Sequence, residues 1–75
     1  MQMSSLLPDI RPQGEERYFP RETEVMVQRW CGMAKTTMDD IAARVDVPRS
    51  SLSLMLKGID PVPVIVERKL RAIIR

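Results

Sequence analysis

Residues 37–58 constrain the fold more than any other stretch, because they write two short helical stripes separated by a turn with no room for a strand or a long loop. Thr37-Met38-Asp39-Asp40 reads as a capping box, in which the threonine hydroxyl accepts from the backbone N–H three residues on and the Asp40 carboxylate reaches back. Ile41, Ala42 and Val45 then recur at helical spacing and predict a helix over about 38–45. Asp46-Val47-Pro48 breaks the pattern. Pro48 suits the first turn of a new helix, Leu52, Met55 and Leu56 recur at spacings of three and four, and Gly58 can close it, so a second helix is expected over about 48–57. Helices meeting near a right angle across so short a turn need a small side chain where their backbones approach, and Ala42 supplies it. Ile41, Val45, Val47, Leu52 and Met55 are left to fill the angle.

The flanks add two more helices. At Phe19-Pro20 a proline stands where a first helical turn tolerates it, and Glu22 and Glu24 place negative charge against the positive end of the helix dipole. This predicts a helix over about 20–31, with Val25, Met26, Trp30 and Cys31 as its apolar stripe and Gly32 closing it. Trp30, at helical spacing from Met26, reads as core rather than as a base-stacking residue. Downstream, Val62, Val66, Leu70, Ile73 and Ile74 share one arc, with Glu67, Arg68, Arg71 and Arg75 opposite, giving a helix over roughly 63–74. Residues 62–66 also have strand propensity, and an edge strand is the competing reading; two prolines and the later 3.6 period favour the helix. Residues 1–18 hold two prolines and a glycine with no sustained period, and are expected to form a flexible arm whose Leu6, Leu7 and Ile10 can fold back on the domain or meet a partner. The expected fold is thus all-α: four or five compact helices over 19–75 behind that arm.

Composition narrows the function. A chain of 75 residues builds one small core, worth roughly 3–5 kcal/mol of stability. With no histidine and a single cysteine, Cys31, it lacks the groups for zinc fingers, disulfide scaffolds and His-based or Cys/His catalysis, so neither enzyme activity nor a cofactor is expected. Adjacent Asp39 and Asp40 diverge on a helix and read as capping, not acid–base chemistry. One unpaired cysteine, no long apolar run and no signal-peptide pattern together predict a soluble cytoplasmic protein with no membrane partner. The net charge is +2, and it is local: residues 61–75 carry four Lys/Arg against one Asp/Glu, while the rest of the chain is nearly balanced. So weak an excess permits a nucleic-acid partner without demanding one.

The side of the second motif helix left facing water would carry Arg49, Ser50, Ser53, Leu54 and Lys57. Short hydroxyl side chains let a helix sit deep in a groove about 12 Å wide, an arginine reaches guanine edges or phosphate, and a leucine can meet a thymine methyl. An apolar residue in such a polar row suits a face that reads bases. TTMDDIAARVDVPRSSLSLMLKG, residues 36–58, resembles the helix-turn-helix of the lambda-repressor-like superfamily, which includes phage Cro and repressor proteins and the headpieces of lac-repressor-type regulators. Ile41, Ala42, Val45, Val47, Leu52 and Met55 match its buried positions, and VPVIVERKLRAII aligns with the following helix of lac-type headpieces, so that the likeness covers about 20–75. By position the resemblance implies base contacts from Arg49, Ser50, Ser53 and Leu54, and phosphate contacts from Thr37 and Ser51; the positive charges of Lys57 on the same helix and Lys35 before the first motif helix make them further candidates for phosphate. Two departures stand out. Asp46 occupies the turn position usually held by glycine, where a left-handed residue costs about 1–2 kcal/mol, less for Asp. Pro48 replaces the customary serine and removes a hydroxyl and an N–H that could anchor phosphate.

The expectation is therefore a small DNA-binding transcriptional regulator of phage or mobile-element repressor type, binding double-stranded operator DNA and no small molecule. One recognition helix reads few base pairs, so a homodimer on a palindromic site is expected, with Leu6, Leu7, Ile10, Val64 and Ile65 as candidate dimer contacts. Two alternatives stay open: a protein-interaction adaptor or inhibitor on the same fold, and an excisionase-type architectural factor. The latter often carries a β-hairpin wing, for which the sequence gives no clear signal.

Overall fold

The computed structural model describes residues 7–74. Two short strands precede four helices: β1 (Arg11–Gln13), β2 (Glu16–Tyr18), α1 (Thr23–Ala34), α2 (Met38–Val45), α3 (Arg49–Leu56) and α4 (Val64–Ile73). The fold is mostly helical, with one small antiparallel hairpin. The hairpin corrects the all-α expectation and, over 11–18, the expectation of an arm without regular structure. Its two-residue loop needs a positive φ at the first position, and Gly14 supplies it at 65°. Pro12 is tolerated because it faces Arg17 at the non-hydrogen-bonded position of the ladder, one step beyond the Gln13–Glu16 pair that flanks the loop.

The hairpin is anchored from its other side. The Arg17 carbonyl accepts from the Val62 N–H at 2.8 Å, so the extended segment before α4 runs along the outer edge of β2. Of the two readings of 62–66, the helix holds from Val64, and Val62 lies beside β2 without forming a strand. Glu67 on α4 ties the parts together. Its carboxylate accepts from Arg17 at 2.7 Å and from Arg71 at 2.9 Å, and the Arg71 guanidinium also donates to the carbonyls of Leu7 and Pro8 at 3.3 and 2.9 Å. Burial pushes the Glu67 carboxyl up, but the hydrogen bonds and charges of the two arginines outweigh it and hold it below the ordinary value.

One core joins all four helices: Val27 and Cys31 from α1, Met38, Ile41, Ala42 and Val45 from α2, Leu52, Met55 and Leu56 from α3, and Val66 and Leu70 from α4. Leu7, Phe19, Val62 and Ile74 close its ends. Helix α1 is rotated from its expected phase. Thr23, Val27 and Cys31 are its buried stripe, Val25 and Met26 are exposed, and Trp30 is half-buried against the core. It also runs past Gly32 to Ala34, where Lys35 takes the left-handed conformation (φ 57°) and the Thr36 N–H bonds the Cys31 carbonyl. Among the described residues no helix is long and apolar enough to cross a membrane.

Candidate nucleic-acid interface

The α2–turn–α3 unit forms as its local signals dictate. Thr37 is extended, and its hydroxyl accepts from the Asp40 N–H at 3.1 Å, as a capping threonine should. The Asp40 carboxylate does not reach back to backbone; it accepts from the Thr36 hydroxyl at 2.8 Å instead. Asp46 closes α2 in the left-handed conformation (φ 64°) with its own N–H and that of Val47 turned back onto the carbonyls of Ala43 and Ala42. Extended Pro48 then starts α3. Ala42 and Leu52 are buried in the corner between the two helices, and Val47 is half-buried over it.

Helix α3 buries Leu52, Met55 and Leu56. Ser50, Leu54 and Lys57, at spacings of four and three, are its exposed row, with Leu54 37% exposed. The other expected contacts lie on the flanks of this row and are less free than their sequence positions suggest. Arg49 is exposed but stands 3.6 Å from the Asp39 carboxylate across the turn. Ser53 is half-buried, and its hydroxyl donates to the Glu24 carboxylate of α1 at 2.7 Å. The other Glu24 oxygen lies 4.0 Å from Lys57 Nζ. Ser51 is half-buried on the opposite flank. Lys35 and Thr37 are exposed on either side of Thr36 between α1 and α2, and the cap leaves the Thr37 hydroxyl proton available for donation.

Sequence reasoning missed Glu24 as a member of this face. Its position in the first turn of α1 offered a sufficient local explanation through the helix dipole, and only tertiary packing brings it to α3. The candidate dimer residues separate into two sets. Leu7 is buried in the monomer and Ile10 packs against its core, whereas Val64 and Ile65 are 49% and 66% exposed at the start of α4, with Ile59 60% exposed in the preceding loop. Leu6 lies outside the described residues. Cys31 is buried, and burial together with the nearby Asp40 charge raises its thiol above the ordinary value; among the described residues no group of acidic or thiol side chains could hold a metal ion. No protein-family model, curated protein or solved structure matches the chain.

Proposed function

We propose that the chain is a sequence-specific DNA-binding transcriptional regulator of the lambda-repressor-like kind, acting in the cytoplasm as a homodimer on a palindromic operator. The observation that carries this reading is the division of α3: one side is wholly buried against the corner with α2, and the other presents Ser50, Leu54 and Lys57 with Arg49 beside them. A helix so presented can enter the major groove by its N-terminal end, with Arg49 and Ser50 at base edges and Leu54 available to a thymine methyl. Lys35, Thr37 and Ser51 would then anchor the flanking phosphates. Occupancy of the operator excludes RNA polymerase, which requires neither a ligand domain nor a catalytic group.

The test is a selection of bound sequences from random duplex DNA, followed by titration of the selected site at several salt concentrations. The wild type should bind with an affinity that falls steeply with salt, and Arg49→Ala should lose the sequence preference while keeping its helical content. Equal binding by Arg49→Ala would show that α3 does not read the site. A chain that retains no duplex even at low salt would instead favour the adaptor reading, which draws support from the carboxylates of Glu24 and Asp39 beside the α3 row. The hairpin gives little support to an architectural wing, since Glu15 and Glu16 place negative charge at its tip where phosphate contact needs positive.

A further inference from the structure

We propose that Glu24 is a selectivity residue of the α3 face, which fixes Ser53 as a hydrogen-bond acceptor and withholds Lys57 from phosphate. The inference rests on the DNA-binding reading and deepens it. The Glu24 side chain is 19% exposed and comes from α1, yet both of its carboxylate oxygens are directed at α3: one accepts the Ser53 hydroxyl proton at 2.7 Å, the other lies 4.0 Å from Lys57 Nζ. A serine hydroxyl has one proton and two lone pairs. Once the proton is committed to a carboxylate, Ser53 offers an approaching base only lone pairs, and the carboxylate behind it repels other acceptors. In the major groove adenine and cytosine present an amino group, whereas guanine and thymine present only acceptors and a methyl at the corresponding edge. The base facing Ser53 is thereby restricted to cytosine or adenine. Lys57, with its charge offset by Glu24, displaces little of the DNA counterion atmosphere.

Glu24→Gln removes the charge while keeping the size, and because its amide can donate to the Ser53 hydroxyl as well as accept from it, the Ser53 proton is no longer committed. On the site selected by the wild type, its affinity at moderate salt should rise severalfold, and the slope of log affinity against log salt should steepen by about 0.9 as Lys57 becomes free to neutralise a phosphate. Lys57→Ala should leave the slope unchanged in the wild type and abolish the added slope in the Glu24→Gln background. The preference for cytosine or adenine at one position should fall by roughly fivefold or more in both Glu24→Gln and Ser53→Ala; the latter changes only a half-buried surface side chain and keeps the test valid if the first variant folds poorly. Unchanged slope and unchanged base preference in these variants, with the wild type still binding, would overturn the role of Glu24 alone. Absence of any duplex binding by the wild type would overturn the function itself, and the proposal with it.

Discussion

Gly58 is the point at which the segment following β2 and the end of α3 come closest, and replacing it with alanine tests that approach. The residue leaves α3 with φ +79°, its N–H bonded to Met55 and that of Ile59 to Leu54, so it must be left-handed for the helix to end where it does. A side chain in that conformation costs about 1–2 kcal/mol. A Cβ at Gly58 would also lie 2.6 Å from the Phe19 carbonyl oxygen, with the Phe19 carbon and the Arg21 nitrogen next in line, so the obstruction is backbone and cannot swing aside. Forcing a methyl into such a contact costs a further 1–3 kcal/mol or so. Alanine also lowers the entropy of the unfolded chain, which returns about 0.4–1 kcal/mol. The net loss is about 1–4.5 kcal/mol, centred near 3 and a large part of the stability of a domain this small. Gly14→Ala supplies the internal control, because Gly14 has a similar φ of +65° but nothing within 4 Å of its Cβ position. It should lose no more than about 1.5 kcal/mol. Urea unfolding followed by Trp30 fluorescence and by far-UV circular dichroism gives both values. Equal losses at the two glycines would refute the close approach of Phe19 as the reason for glycine at 58.

Three further outcomes can be checked on the same apparatus. Thr23 Oγ1 is fully buried and, among the described residues, has no hydrogen-bond partner, so the near-isosteric Thr23→Val should stabilise by about 1 kcal/mol and raise Tm by about 4–8 °C; a lower Tm would mean that the hydroxyl is satisfied. Glu67→Gln should destabilise by about 1–3 kcal/mol at neutral pH by weakening its charge-assisted bonds to Arg17 and Arg71. Because its folded pKa is depressed, the contribution of Glu67 is complete above the ordinary carboxyl value of 4.5 and is lost as pH falls below it, so the glutamine variant should show a shallower loss of stability in acid. Asp46→Gly, at φ 64°, should leave stability unchanged or raise it by up to about 1 kcal/mol, as read from the urea midpoint; a clear loss would show that the aspartate side chain makes a contribution of its own.

The parts of this fold that could be read from the sequence are those written by neighbouring residues. Thr37 caps α2 and Pro48 starts α3, both through residues within one turn, and the 38–45 helix appears at its expected bounds. What escaped was set by residues far apart. Nothing within 11–18 alternates in hydrophobicity; the hairpin is held by the Val62 N–H and by Glu67, some fifty residues away in sequence. The phase of α1 is not legible locally because Val25 and Met26 are as apolar as Val27, while the buried stripe includes a threonine. The α3 face was legible as a face, but the standing of its members was not. Ser53 looks as free as Ser50 in the sequence, and only the arrival of Glu24, 29 residues earlier in the chain, distinguishes them.

The same long-range contacts change where a dimer could form. Leu7 and Ile10 looked available on a loose arm, but the Leu7 side chain is in the core and the backbone carbonyls of Leu7 and Pro8 are held by Arg71. Using Leu7 in a dimer would require removing it from its own core, with loss of that burial and those charge-assisted bonds. Val64 and Ile65 make no such demand. They are already exposed, and they stand at the first turn of a helix whose other side is anchored by Val66 and Leu70. A contact at the start of α4 therefore asks less of the monomer than one through Leu7 and Ile10.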